Sequence, residues 1–212
     1  MGRAETTRTG RQAPPAWLEH EDLNLPPILA AALADFQQHG YHGATVRGIA
    51  GRAGATMTSL YYHYGNKEGI LFALLDIAMD DQVSHIHLAL EAAGDDTLTR
   101  FRNAITAVAL HATRRHDLAV LHSEFRFLGV AMREKYVAKR ALVEQALEDL
   151  LKRGMAEGLF VKGDSHFTTR LLLDMVGGIV GWYREDGPLS AQEIAERYTQ
   201  AAVRFVSSGT VG

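Results

Sequence analysis

Thr45, Tyr61, His63 and Lys67 are hydrogen-bond donors gathered around one glycine turn, and donors placed in this way hold phosphate oxygens. Arg47 stands among them and can offer a two-pronged fork to guanine. Thr56, Met57, Thr58 and Ser59 can reach base edges. Tyr61, Tyr62, His63 and Tyr64 follow one another on so short a segment that they cannot all be buried, so at least two face outward. This chemistry suits recognition of double-stranded DNA; the alternative is that Tyr61, Tyr62 and Tyr64 simply cap a small helical core. DNA recognition requires two short helices about a tight turn, Thr45 to Ala53 and Thr58 to Tyr64, the second to enter the major groove.

Catalytic chemistry finds little support. No glycine-rich phosphate loop, nucleophile elbow or metal-binding helix pair is present. The absence of cysteine removes thiolate metal sites, iron–sulfur clusters and a thiol nucleophile. His85 and His87 stand two apart on a helix and point to different faces, so no metal site is expected there, and no cofactor is implied. Phe101, Phe125, Phe127 and Trp182 offer apolar surface for a cavity between helices. Arg126 and Arg184, with Arg170, are candidates for an anionic group.

The elements needed to position these groups are all helical. Of 212 residues, 47% are hydrophobic and 22% charged, with a net charge of −3, which is ordinary for a soluble globular chain and excludes disorder throughout. No apolar run suits a membrane span, and residues 1–15 lack the apolar core of a secretory signal, so a cytoplasmic location is expected. Helical spacing recurs from Ile28 to Phe36, beneath Val46, Ile49 and Ala50, and from Ile70 to Ile86. It returns from Leu98 to Val108, Leu118 to Leu128, Val143 to Leu151, 166–184, and Ile194 to Phe205 behind a capping box begun by Ser190. The expected fold is all-α with about nine helices. Residues 1–24 are expected to form a mobile arm bearing Arg3, Arg8 and Arg11, with local order at most around Trp17 and Leu18, 25–72 the DNA-binding unit, and 73–209 a helical body.

The segments Thr45-Val46-Arg47-Gly48-Ile49-Ala50, Ala53-Gly54-Ala55 and Leu60-Tyr61-Tyr62-His63-Tyr64-Gly65-Asn66-Lys67-Glu68 resemble the DNA-binding head of the TetR family of one-component repressors. The resemblance implies an all-α homodimer whose head binds a palindromic operator and whose body holds a ligand pocket and the dimer interface. It puts phosphate contacts at Thr45, Tyr61, His63 and Lys67 and base contacts at Arg47 and Thr56 to Ser59. Arg115-His116-Asp117-Leu118-Ala119, Glu124-Phe125-Arg126-Phe127-Leu128 and Trp182-Tyr183-Arg184 are similar to members that sense acyl-coenzyme A thioesters in fatty-acid or steroid breakdown. That likeness implies a hydrophobic effector of this kind, released DNA and no enzymatic activity.

The helix at 166–184 is apolar nearly all round, so part of it must pair with another chain. Leu171, Leu172, Met175, Val176 and Ile179, with Tyr198, Ala202 and Phe205 of the last helix, are the expected dimer interface. The competing reading is a helical small-molecule-binding or scaffold protein with no operator-specific DNA binding.

Overall fold

The computed structural model describes residues 15–207, so the arginines Arg3, Arg8 and Arg11 of the expected arm lie outside the described residues. Nine α-helices are present among the described residues: α1 (Pro27–Gly43), α2 (Val46–Arg52), α3 (Met57–Tyr64), α4 (Lys67–Ala92), α5 (Thr97–Arg114), α6 (His116–Val120), α7 (Val130–Ala156), α8 (Ser165–Gly177) and α9 (Ala191–Val206). Short 3-10 turns cover Ala16–Leu18, Leu121–Phe127 and Gly178–Gly181. The only β pairing among the described residues is one bridge, Phe160 to Ser207.

Local chemistry sets the boundaries. Thr45, Thr56, Asn66, Asp96, Asp164 and Ser190 each cap a helix by accepting a backbone N–H three residues on. The expected capping box is complete at Ser190 and Glu193. Gly40, at φ 69°, breaks the α1 spiral before Tyr41. Asp96 is the cap of α5, and α1 begins at Pro27 with no side-chain cap. The periodic stretch from Leu118 to Leu128 is only briefly α-helical and tightens into the 3-10 run. The expected helix over 166–184 also shortens: α8 stops at Gly177, where the Gly177-Gly178 pair makes continued α-helix costly.

Helices α1 to α3 form a small head built on Phe36, Ile49 and Leu60, all buried. Helix α4 belongs to both halves. Its start carries the head, and Leu74, Leu75, Ala78, Met79 and Ile86 are buried further along, in contact with α5 and α7. A boundary at residue 72 therefore falls inside one continuous helix. Gly69 permits the close approach of α4 to α3, since a Cβ there would lie 1.9 Å from the Tyr64 carbonyl oxygen.

The segment before α1 is ordered at Trp17 and Leu18 as expected, and its contacts extend beyond them to His20 and Glu21. Trp17 is buried and its turn packs on α4. His20 stacks on His85 at 4.1 Å between centroids, and Arg115 donates to the Glu21 carbonyl at 2.6 Å. One buried indole and one guanidinium anchor do this, and neither leaves a periodic trace in sequence.

Arg115 also reaches both oxygens of Asp81 at 3.2 Å. Burial alone would raise the Asp81 pKa, but the adjacent His111 ring and the hydrogen-bonded Arg115 guanidinium outweigh it and hold the carboxyl well below its ordinary range. Asp81 and the rings of His20 and His85 lie close enough to suit a metal ion, yet the guanidinium already occupies the carboxylate.

Burial pushes His122 down to about 3 and lowers His111 as well, so both are neutral in the fold. Below about pH 6.5 the unfolded chain binds protons that the folded chain refuses, and stability falls as pH drops. The expected slope is about 1.4 kcal/mol per pH unit for His122, continuing toward pH 3, and His111 acts in the same direction. Urea denaturation between pH 7.5 and 4.5 measures it, and His122→Phe should flatten the curve. A pH-independent parent would contradict the neutral assignment.

Candidate functional site

Helix α2 ends at Arg52 and the chain turns through Gly54, at φ 61°, into the Thr56 cap of α3. Leu60 is fully buried and pins α3 to the head. With that face inward, Thr56, Thr58, Tyr61, Tyr62 and His63 are exposed, as are Thr45 and Arg47; Tyr62 is 84% exposed. Met57, Ser59 and Tyr64 are half-buried. The Thr45 and Thr56 hydroxyl oxygens accept from Gly48 and Ser59, which leaves each O–H able to donate to a phosphate. Two capped helix starts and a row of outward hydroxyls and rings on one unit make a surface for a polyanion.

The cations of the head differ in availability. Arg52 is tied to Gln38 at 2.9 Å and to buried Asp35 at 3.6 Å. Lys67, expected to hold a phosphate, is half-buried and donates to the carbonyls of Tyr41, His42 and Ala44 at 2.8, 3.3 and 2.9 Å. All three of its protons are thereby spent on the end of α1, opened by the turn at Gly40. Among the described residues of the head, Arg47 alone is a cation without an ion pair or hydrogen bond. Lys67→Met should accordingly cost the head about 1.5–3 kcal/mol, as for hydrogen bonds from a charged group. It should leave the salt dependence of DNA binding unchanged, whereas loss of a phosphate contact lowers that slope by about one. Chemical denaturation and a salt titration together check this; a lower slope at unaltered stability would restore the phosphate role.

A cavity of about 440 Å³ opens in the body, lined by Met79, Val108, Val143, Val176 and Val180 with polar groups from His111, His122, Ser123, Tyr136 and Arg140. Arg140, Glu144 and Leu173 also border an adjoining groove that contains Arg170.

The expected effector residues are not in this cavity. Phe101 is core, packed on Phe160 at 5.0 Å between centroids. Phe125 lies against Tyr136 at 5.4 Å, behind the wall rather than in it. Arg126 is exposed and lies over Phe127 at 4.9 Å. Trp182 is 49% exposed and stacks on Tyr198, and Arg184 is exposed beside Asp186 at the rim of a separate polar cleft. The 3-10 twist of 121–127 turns the side chains of Phe125, Arg126 and Phe127 away from where α-helical spacing would put them.

That same run joins the cavity to the head. His122 and Ser123 form part of the cavity wall. Phe127 stacks on Tyr41 at 5.2 Å and meets His42 edge-on at 4.3 Å. Just beyond it, the Gly129 N–H at the start of α7 donates to Glu68 Oε1, on the first turn of α4, at 2.8 Å. No sequence pattern announces the Glu68–Gly129 bond or the Tyr41–Phe127 stack, because each joins residues far apart in the chain. His111 and His122 are evident as histidines, but nothing in the sequence marks them as facing the same space.

The apolar dimer candidates divide. Leu172, Val176, Ile179 and Ala202 are buried within the subunit, at 1, 0, 0 and 0% exposure, so they cannot meet a second chain. Leu171 and Phe205 are exposed, with Met175 and Tyr198 partly so. Phe167 and Trp182, also exposed, extend this face along α8 and past its end.

Residues 94–206 match the tetracyclin repressor-like C-terminal domain, and residues 28–74 match the bacterial regulatory proteins of the tetR family. The chain belongs to the TetR family. It is 29% identical to the HTH-type transcriptional repressor KstR2 of Mycobacterium tuberculosis over 81% of this chain and 86% of that protein. The TetR-family regulator PfmR of Thermus thermophilus is 30% identical, with a TM-score of 0.77 over 84% of this chain and 97% of PfmR. The structure of AibR in complex with isovaleryl coenzyme A and operator DNA is 26% identical, with a TM-score of 0.71 over 82% of this chain and 95% of AibR. Among the described residues no helix is long and apolar enough to cross a membrane.

Proposed function

We propose that this TetR-family chain is a ligand-responsive repressor, a homodimer that binds a palindromic operator through α2 and α3 and lets go when a hydrophobic effector fills the body cavity. One observation carries the reading: the 3-10 run at 121–127 forms both a wall of the cavity and the support on which the head rests. A ligand that displaces His122 and Ser123 pulls on Phe127 and Gly129, and with them on Tyr41 and Glu68. The two heads of the dimer then lose the spacing that matches successive turns of DNA.

Arg47, Thr56, Thr58, Tyr61 and Tyr62 read or approach bases, while Thr45 and His63 hold phosphates. The exposed faces of α8 and α9, through Phe167, Leu171, Trp182 and Phe205, make the dimer. An acyl-coenzyme A thioester suits the cavity. Its acyl part would lie among Met79, Val108, Val143 and Val176, and its phosphates against Arg140 and Arg170 in the adjoining groove. KstR2, a named repressor, and AibR, solved with isovaleryl coenzyme A and operator DNA, support that choice.

Release requires tighter binding to the DNA-incompetent state, and a 100-fold loss of operator affinity needs about 2.7 kcal/mol of coupling. Titrating branched, long-chain and polycyclic acyl-coenzyme A, the matching free acids and coenzyme A itself against a protein–operator complex tests the effector class. Thioesters should release DNA where free acids and coenzyme A do not. Release by free acids alone would remove the thioester and leave the repressor.

A further inference from the structure

Two imidazoles line the effector cavity with their inner nitrogens unmatched. Nε2 of His111 and Nε2 of His122 are both buried and have no hydrogen-bond partner among the described residues. The ring centroids are 5.9 Å apart. An unpaired buried polar atom is costly, and in a cavity it marks what the ligand must supply.

The outer nitrogens fix which tautomer each ring adopts. Nδ1 of His122 lies 2.7 Å from the Tyr136 hydroxyl. Were Nδ1 to carry the proton, the buried phenolic O–H would be left without an acceptor, so Tyr136 donates and the His122 proton sits on Nε2. Burial pushes the Tyr136 pKa up to about 12, which keeps that phenol protonated. Nδ1 of His111 also has no hydrogen-bond partner among the described residues, but it lies 3.4 Å from the Asp81 carboxylate, whose negative charge draws the ring proton to Nδ1. The His111 Nε2 is then a bare lone pair. The remaining charged groups around the pair are Arg115, held on Asp81, and Arg140 and Glu144 farther along the cavity wall.

We infer that the effector bears a hydroxyl group on its apolar part, donating to His111 Nε2 and accepting from His122 Nε2–H. Among the oxygen groups an organic ligand can carry on its apolar part, a hydroxyl donates and accepts through one atom, as this pair of nitrogens requires. A ketone answers only His122, and a hydrocarbon answers neither. The inference rests on the cavity being the effector site and narrows the ligand there to an alcohol, aliphatic or alicyclic.

The test uses 2-decalol, 2-decalone and decalin with the full chain in the absence of DNA. Affinity is read by displacement of a fluorescent apolar dye, and the site by the imidazole nitrogen spectrum. The alcohol should bind at least about tenfold tighter than the ketone, equivalent to about 1.4 kcal/mol, and the hydrocarbon should bind weakest. Both His111 and His122 nitrogens should shift with the alcohol. In His122→Phe, and more mildly in Tyr136→Phe, the preference for alcohol over hydrocarbon should collapse.

Equal binding of alcohol and hydrocarbon by the parent would overturn the inference, since a resident water would then serve the pair. Equal binding of alcohol and ketone, or no binding of any of the three, would overturn it too. The regulator reading fails separately: no ligand would then release operator DNA, whatever the cavity prefers.

Discussion

Leu171→Arg yields a folded chain that is monomeric by light scattering and has lost about 100-fold or more in operator affinity. Leu171 is 40% exposed on the outer face of α8, so an arginine there reaches water in the free subunit and costs the fold little. In the dimer the same arginine would be buried against its own copy without a counter-charge, which costs several kcal/mol. Operator affinity falls because two linked heads bind cooperatively, and separating them forfeits an avidity of about 10²–10⁴. Val176→Arg separates this effect from simple misfolding. Val176 is fully buried against the cavity, and the charge there should leave the chain unfolded or insoluble rather than monomeric. A soluble dimer from Leu171→Arg would move the interface elsewhere.

The second large effect is on induction. Glu68→Ala removes the acceptor for the Gly129 N–H, and Phe127→Ala removes the stack on Tyr41 and His42. Neither residue belongs to α2 or α3 or lines the cavity, so operator and effector should each still bind. What should vanish is their mutual exclusion. In the double variant, an effector that weakens operator binding 100-fold in the parent should weaken it less than about fivefold, a loss of roughly 1.8 kcal/mol of coupling. Fluorescence anisotropy with and without ligand measures both numbers. Parent-like release by the double variant would show that the signal travels along α4 alone.

What can be seen in the sequence follows from the range of the interactions. Helix α2 of the head is legible because it carries its own cap and apolar stripe, Thr45 with Ile49 and Ala50, whereas α3 starts at Met57 behind a Thr56 cap, one residue ahead of the Thr58 start expected from sequence. The outward set on α3 follows from the crowding of Tyr61, Tyr62 and His63. The role of Lys67 does not, because its partners are backbone carbonyls that exist only once Gly40 has turned the chain. The cavity escapes for a related reason. Assigning Phe125, Arg126 and Phe127 to a ligand assumes α-helical spacing, and the 3-10 run rotates them onto Tyr136, solvent and the head instead. The dimer face is legible only by half: an all-round apolar helix signals burial on every side, but not which side meets which chain. Leu172 and Val176 pack inward, while Leu171 and Phe205 remain for a partner.

Operator recognition is tested by anisotropy titration of labelled DNA from the region flanking the chain's own gene, against an unlabelled scrambled duplex of equal length. The parent should bind one site per dimer and resist the scrambled competitor by a factor of about 10³, typical of specific recognition. Arg47→Ala, which removes the one uncommitted cation of the described head, should lose about 1–3 kcal/mol and relax preference at the base pair it faces. Equal competition by the scrambled duplex, with Arg47→Ala indistinguishable from the parent, would mean that the head is not an operator reader and that the chain is a helical ligand-binding protein.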